Sequence, residues 1–360
     1  MKSDINKKNT SPREKPGIRP PGSLNPRLSE KYRRQSLLSA EEYIEGILSG
    51  NRVLLSRALT LIESTKPAHR DLARRIIDRC LPAAGNSLRI GITGTPGVGK
   101  STFIETFGTH LTGQRHRVAV LAVDPSSKVS GGSILGDKTR MEKLSADPAA
   151  FIRPSAAGDT LGGVARKTRE SVILCEAAGY DRIIVETVGV GQSEIAVHGM
   201  TDFFLLLLLP GAGDELQGIK RGIVETADLI AVNKADGDRL SAAKRAKTAY
   251  RNALHLFPPT ESGWIPKVAV CSATEGSGIQ NIKKIIDSYD KDSRASGWRE
   301  RQRRRQAQYW LEESIQEQLQ RLFAENPAVK VHKTEIEKAV AAGEMSSFRG
   351  AEELLALFQK

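Results

Sequence analysis

The residues best suited to chemistry lie in a glycine-rich octapeptide that ends in lysine and serine. It reads Gly94-Thr-Pro-Gly-Val-Gly-Lys-Ser101 and matches the phosphate-binding pattern GxxxxGK[ST]. Glycines let successive backbone N–H groups curl around a phosphate, and the helix that follows adds its partial positive charge. In such a loop Lys100 would bridge the β- and γ-phosphates, and the Ser101 hydroxyl would ligate Mg²⁺. We therefore predict a phosphate site formed by Gly94, Thr95, Pro96, Gly97, Val98, Gly99, Lys100, Ser101 and Thr102.

A second motif, Asn233-Lys-Ala-Asp236, has the NKxD form that recognises guanine. Asp236 can accept hydrogen bonds from N1–H and the exocyclic amine of guanine, whereas adenine would leave the carboxylate unpaired. Sites built on such pairing discriminate by ~10⁴ or more. Asn233 can tie this loop to the phosphate loop, the Lys234 stem can cover the base, and the later segment Ser272-Ala273-Thr274 can offer a backbone N–H to the guanine oxygen. Each element follows a strand pattern, where open α/β sheets bind ligands, so we predict GTP over ATP.

Two carboxylates end apolar strand patterns and could hold a metal ion. Asp124 follows the run Val118–Val123, and Glu186 follows Ile183–Val185. At adjacent strand ends both carboxylates can face a γ-phosphate and hold Mg²⁺ directly or through water. The alternative is that Asp124 only starts a turn before a proline and that Glu186 is an ordinary charge at a strand end. We predict metal roles for both residues.

The segments after these carboxylates are rich in glycine and serine, as switch loops are. The N–H of Gly189 is expected to donate to the γ-phosphate. Gln192 could orient the attacking water or have no role in the reaction, and the same alternatives hold for Asp137 and Lys138 on the other loop. The candidate catalytic residues are Lys100, Asp124, Glu186 and Gln192.

The elements that must position these motifs alternate between strands and helices. Apolar strands are predicted at Leu88–Thr93, Arg117–Val123, Arg182–Glu186, Asp202–Leu209, Leu229–Asn233 and Lys267–Cys271. Helical patterns lie between most of them, including Gly163–Ala178 and Arg239–Leu256. Strands that are apolar throughout and separated by helices predict an α/β fold, with a mostly parallel sheet and helices on both faces.

Helical segments flank this nucleotide-binding domain, which is predicted to span residues 88–292. A capping box of Ser39 and Glu42, a stop at Gly50 and a new start at Pro67 predict short amphipathic helices in residues 37–87. Residues 293–360 are predicted to form a C-terminal helical segment. Residues 1–36 have the composition of a disordered basic tail.

Charge and composition limit the class of protein. The net charge is +12, but residues 1–35 hold ten Lys/Arg against three Asp/Glu, so this tail alone carries +7. Neither the tail nor the basic block Arg299–Arg305 interleaves aromatic residues with its charges, which favours solvated faces over a nucleic-acid site. The densest apolar run, Phe203–Leu209, is too short to span a bilayer. With three scattered cysteines and no secretory signal, we expect a cytoplasmic protein without membrane or nucleic-acid partners.

Taken together, these segments resemble the MeaB/ArgK family of P-loop GTPases, the methylmalonyl-CoA mutase-associated GTPases. The resemblance rests on GTPGVGKST, AVDPSS, GDKTRM, ETVGVGQSE, GIVETADLIAVNKAD and CSAT, which cover most of residues 88–290. It implies a P-loop NTPase G domain that hydrolyses GTP with Mg²⁺, in which Ser101, Asp124, Asp137 and Glu186 surround the metal. It also implies that Asp214–Lys220 form a mobile switch and that C-terminal helices join a homodimer.

The role implied by the resemblance is that of a chaperone for an adenosylcobalamin-dependent acyl-CoA mutase, such as methylmalonyl-CoA mutase. Such a chaperone gates delivery of the cofactor and protects the enzyme. Two other functions use parts of the same pattern. A P-loop kinase could share the phosphate loop, although the NKxD motif argues against it, and a nucleic-acid-associated GTPase is the alternative suggested by the net charge.

Overall fold

Seven short apolar segments form the strands of one sheet. The computed structural model describes residues 37–123, 141–154, 161–187, 193–211, 221–258 and 260–359. The strands are β1 (Leu88–Gly94), β2 (Val118–Val123), β3 (Ala150–Arg153), β4 (Arg182–Thr187), β5 (Phe203–Leu208), β6 (Leu229–Val232) and β7 (Lys267–Val270). All neighbouring strands pair in parallel, in the order β3-β2-β4-β1-β5-β6-β7. The predicted parallel α/β sheet is therefore confirmed, and six strands agree with the prediction to within one residue at each end.

The strand β3 is absent from the sequence-based prediction, which was wrong in passing over Ala150–Arg153. This strand has four residues and pairs only with β2, at one edge of the sheet. The strands β6 and β7 are equally short, but β3 follows closely on Asp147-Pro148, a sequence typical of a turn.

Thirteen helices accompany the sheet in the described part of the chain. They are α1 (Ala40–Leu48), α2 (Arg52–Glu63), α3 (Pro67–Cys80), α4 (Lys100–Thr112), α5 (Glu142–Ala146), α6 (Leu161–Ala177), α7 (Ser193–His198), α8 (Arg221–Thr226), α9 (Arg239–Leu254), α10 (Ile279–Ala295), α11 (Trp298–Glu325), α12 (Pro327–Ala341) and α13 (Ser347–Phe358). The first three fall where short N-terminal helices were expected. The expected start of the C-terminal segment, Ser293, lies inside α10. None of the described helices is long and apolar enough to cross a membrane.

The two faces of the sheet bury different residues of the same strands. Because successive side chains of a strand point to opposite faces, alternate residues of β5 enter two separate cores. Leu205 and Leu207 pack with residues of α4 and α10 on one face. Leu206 and Leu208 pack with residues of α8 and α9 on the other. The sheet is therefore covered on both sides, which explains why its strands are apolar throughout.

The register of the strands brings the predicted motifs to one edge. Glu186 near the end of β4 pairs with Ile92 of β1 and with Ala122 of β2. Val232 at the end of β6 pairs with Val270 at the end of β7. The segments that follow β1, β4, β6 and β7 therefore start from the same carboxyl edge of the sheet.

The opposite, amino edge of the sheet holds a buried network of charges. Arg303 of α11 donates to both carboxylate oxygens of Asp202, at 2.7 and 2.6 Å. Arg89 of β1 donates to both oxygens of Glu176 on α6, each at 2.9 Å. The two pairs are linked because the backbone N–H of Arg89 also donates to Asp202 at 2.9 Å. Through this network, the first turns of helix α11 are connected to the central strand β1.

Candidate functional site

The phosphate loop runs from the end of the central strand β1 into helix α4. Gly97 and Gly99 have φ of 79° and 94°, in the left-handed region that glycine adopts without steric cost. A Cβ on Gly94 would lie 2.5 Å from the carbonyl oxygen of Leu207, so the strand end also requires glycine. The backbone N–H of Phe103 donates to Gly99 at 2.9 Å and closes the first helical turn. The loop therefore leads directly to the positive end of a helix, as anion binding requires.

Lys100 is the first residue of α4, and its side chain folds back over the loop. Its ammonium group donates to the carbonyl oxygens of Gly94 at 2.7 Å and Thr95 at 3.4 Å. Only 8% of Lys100 is exposed. Burial lowers the pKa of Lys100 below its usual range, an effect that the charges of Glu186 and Glu194 oppose. The lysine thus places a desolvated positive charge inside the phosphate loop, where it acts most strongly on an anion.

Asn233 connects three segments of the site. Its side-chain amide donates to the carbonyl oxygen of Val98 at 2.9 Å, and its Oδ1 accepts from the backbone N–H of Ala273 at 3.0 Å. Cys271 Sγ also lies 3.6 Å from Oδ1. Asn233 is 1% exposed. The phosphate loop, the NKxD segment and the segment after β7 therefore share one buried side chain.

The other two residues of the NKxD motif line the same edge. Lys234 adopts a positive φ of 57°, and its ammonium group donates to the carbonyl oxygen of Gly97 at 2.7 Å. One oxygen of Asp236 accepts from the Ser272 hydroxyl at 2.8 Å, and the other pairs with Arg239. The hydrogen bond from Ser272 and then that from Arg239 hold the pKa of Asp236 below its usual range. Asp236 is therefore an ionised acceptor.

Of the three carboxylates that were predicted to hold a metal ion, Glu186 is the one that lies in the described part of the chain. It is 9% exposed near the end of β4, and the neighbouring Thr187 hydroxyl lies 2.8 Å from that of Thr93. Within the described ranges no group of three or more His, Cys, Asp or Glu side chains could hold a metal ion. Four predicted site residues, namely Asp124, Asp137, Gly189 and Gln192, lie outside the described residues, as do Lys138 and the switch 214–220.

The remaining predicted residues fall on the same loops. Ser101 and Thr102 follow Lys100 in the first turn of α4, Pro96 lies in the phosphate loop, and Thr274 is exposed beyond Ala273.

The structure adds residues to which sequence analysis gave no role. The Thr106 hydroxyl on α4 donates to the carbonyl oxygen of Ala273 at 2.8 Å and ties this helix to the segment after β7. Arg239 pairs with Asp236 of the NKxD motif. Glu194, on α7, is 5% exposed. Glu194 is the last residue of the segment ETVGVGQSE, so its place in that segment could have marked it as a candidate. No local sequence pattern marks Thr106 or Arg239.

A parallel sheet with this phosphate loop on its central strand and the NKxD segment two strands away defines the class of P-loop GTPases. Within that class the chain belongs to the MeaB family, since the family model described as methylmalonyl Co-A mutase-associated GTPase MeaB matches residues 55–328. The predicted family and the predicted GTP hydrolase class are thereby confirmed.

Relatives named as GTPases cover most of the chain. GTPase ArgK of Escherichia coli is 49% identical over 284 residues, which are 79% of this chain and 86% of that protein. The mouse protein named methylmalonic aciduria type A homolog, mitochondrial, is 44% identical over 342 residues, covering 92% of this chain and 81% of its own. A crystal structure described as an LAO/AO transport system kinase superposes with a TM-score of 0.71 at 38% identity, covering 90% of this chain and all of the other.

Proposed function

We propose that the GTPase cycle of this chain regulates an adenosylcobalamin-dependent acyl-CoA mutase, in particular methylmalonyl-CoA mutase. In this proposal the cycle gates delivery of the cofactor and protects the enzyme. The description of the family as mutase-associated and the name of the mouse relative support this role. The observation that carries the GTP site is the buried bridge of Asn233 between the phosphate loop and the guanine-reading segment.

The donor set fits Mg²⁺, which prefers oxygen ligands. The residues that would hold it are Ser101, Asp124, Asp137 and Glu186. Glu186 supports this choice because its carboxylate is buried beside the phosphate loop, within electrostatic reach of Lys100. The chemistry that Mg²⁺ supplies when bound is neutralisation of charge on the β- and γ-phosphate oxygens.

The side chains of the chain itself bind and orient the reactants. Lys100 would leave the carbonyl oxygens of Gly94 and Thr95 and donate to the phosphates, where it stabilises charge that develops in the transition state. Water attacks the γ-phosphorus, the bond to the β–γ bridging oxygen breaks, and inorganic phosphate leaves. Gln192 is the proposed orienting residue for that water, and the N–H of Gly189 the proposed donor to the γ-phosphate.

We also propose that the protein acts as a cytoplasmic homodimer. Four leucine and isoleucine side chains form an exposed stripe on α11, which supports an interface there: Leu311, Ile315, Leu319 and Leu322 are 41–60% exposed. Contiguous exposed apolar surface of this kind marks an interaction site.

Within the described residues of the phosphate loop there is no arginine, so we expect slow hydrolysis in isolation.

The test is steady-state release of inorganic phosphate from GTP, with and without methylmalonyl-CoA mutase from the same organism. We expect the mutase to raise turnover by between about tenfold and about 10³-fold, since a partner can order switch loops or supply a catalytic group. An acyl-CoA enzyme that uses no cobalamin is the matched control and should leave the rate unchanged. A fast basal rate that no such mutase alters would contradict the proposed role.

A further inference from the structure

Glu194 is a buried carboxylate near the phosphate loop that has no assigned role. It lies in the first turn of α7, and it is 5% exposed. Its Oε2 atom is buried without a hydrogen-bond partner in the described part of the chain. Burial of a carboxylate oxygen that makes no hydrogen bond is costly, so such a group requires a nearby positive charge or a ligand.

The path of the chain places Glu194 toward the nucleotide edge of the sheet. Because β4 and β5 run parallel to β1, the connection that contains α7 must return from the carboxyl edge to the amino edge. Val197 of α7 packs over Gly91 of β1, where a Cβ added to the glycine would lie 3.0 Å from Val197 Cγ1. Glu194 precedes Val197 by three residues and therefore lies about 4.5 Å nearer the carboxyl edge. Along the direction of the strands, Glu194 therefore lies close to the end of β1, where the phosphate loop begins.

Within the described residues, Lys100 supplies a positive charge near this end of β1. Among the described residues, the carboxylates of Glu186 and Glu194 both oppose the lowering of the Lys100 pKa by burial. Glu186 is one of the residues that we propose for the metal. Glu194 is thus the second buried carboxylate at Lys100, and it has no hydroxyl or amide donor of its own in the described residues.

We propose that Glu194 is a positioning residue for the phosphate-loop lysine. Its fixed negative charge beneath the loop compensates the burial of the Lys100 ammonium group and limits the directions in which that group can point. The lysine is then already oriented when a phosphate arrives, and no reorientation is required during hydrolysis. The inference rests on the proposed GTP site, but it is independent of the mutase.

The test is Glu194→Gln, which keeps the size of the side chain and removes its charge. In single-turnover hydrolysis of preloaded GTP we expect the rate to fall about tenfold or more, because Lys100 is no longer held in place. Binding of fluorescent GDP should be no weaker than in the unchanged protein, since removal of a negative charge does not repel a polyanion. Glu194→Asp, which restores the charge on a shorter side chain, should recover part of the rate. Glu261→Gln, an equal charge change at an exposed residue paired with Arg305, should leave both quantities unchanged.

Two results would overturn the inference. One is a Glu194→Gln variant that hydrolyses GTP as fast as the unchanged protein. The other is a parallel loss of rate, GDP affinity and melting temperature, which would mean that Glu194 only maintains the fold. The mutase proposal fails separately, through a GTPase rate that does not respond to the mutase. Absence of any GTP hydrolysis in the unchanged protein would contradict the site itself and this inference with it.

Discussion

The Asn233 side chain donates to the carbonyl oxygen of Val98 at 2.9 Å while it accepts from the backbone N–H of Ala273 at 3.0 Å. The first contact joins the NKxD segment to the phosphate loop, and the second joins it to the segment after β7. The three segments are therefore held in one arrangement through a single buried side chain. Asn233 fixes the spacing of these segments together with Lys234, which donates to Gly97, and Thr106, which donates to Ala273.

We expect Asn233→Ala to weaken GDP and GTP binding equally, by about tenfold, because two buried backbone groups lose their partner. Titration with fluorescent GDP and GTP analogues measures both affinities. Asn252→Ala, at an exposed position of α9, is the matched control and should bind both nucleotides normally. Unchanged affinity in Asn233→Ala would show that the bridge does not maintain the site.

Lys100→Ala should abolish most GTP hydrolysis while the protein stays folded. Loss of a group that stabilises transition-state charge costs on the order of 10² or more in rate. Phosphate release is measured at saturating GTP, and circular dichroism checks the fold. Lys284→Ala removes an equal charge from an exposed position of α10 and should retain full activity. A Lys100→Ala variant with normal turnover would contradict the phosphate-loop assignment.

Asp236→Asn should shift preference from GTP toward xanthosine triphosphate. Xanthine carries a carbonyl where guanine carries an amine, so an amide can pair where a carboxylate would repel. The change also removes the ion pair with Arg239. Competition of the two nucleotides against fluorescent GDP measures the preference, and Asp238→Asn, two residues away and exposed, should leave it unaltered. If Asp236→Asn kept full GTP affinity and gained none for xanthosine triphosphate, the NKxD segment would not read the base.

The buried network at the amino edge predicts a loss of stability in acid. Burial alone would raise the pKa of Asp202, but its hydrogen bonds with Arg303 hold that pKa below its usual range. Burial opposes a lowered pKa in Glu176 too, and there Arg89 outweighs it. A lowered pKa in the folded state stabilises the fold above about pH 4, and this contribution is lost as the pH falls through the folded-state pKa. The melting temperature should therefore fall as the pH is lowered from about 5 to about 3.

Asp202→Asn tests the source of that dependence. It removes the nearer counter-charge of the largely buried Arg303 guanidinium, leaving Glu176 at 3.9 Å, and should cost roughly 3–5 kcal/mol at neutral pH. Its melting temperature should also change less with acid than that of the unchanged protein. Asp71→Asn, at an exposed position of α3, should alter neither quantity. An identical acid dependence in Asp202→Asn would place the titrating groups elsewhere.

The phosphate loop and the NKxD segment could be predicted because their chemistry is local. A positive φ at Gly97 and Gly99, and a lysine directly after them, are requirements that neighbouring residues of the chain satisfy. Six strands were predictable because each is a run of mainly apolar residues, and helical patterns separate most of these runs. The missed β3 is no shorter than β6 or β7, but it lies closely after the turn sequence Asp147-Pro148.

The contacts that complete the site join residues far apart in sequence, and no local pattern identifies their partners. Asn233 and Val98 are separated by 135 positions, and Thr106 and Ala273 by 167. A tether between the two loops was expected from the role of asparagine in the NKxD motif, but the carbonyl group that it contacts was not. The same holds for Arg303 and Asp202, 101 positions apart, where the sequence showed only a basic block.

The central position of β1 has a consequence for synthesis of the chain on the ribosome. β1 is the first strand to be made, yet Ile90 pairs with Ile184 on one side and with Phe203 on the other. A nascent chain must therefore expose an apolar strand, fully buried in the finished fold, until β4 and β5 have been made. Pairings between such distant segments form slowly, and apolar strands without neighbours aggregate. Among the described strands, the one that leads into the phosphate loop is thus made first and stays without its partners until β4 and β5 have been made.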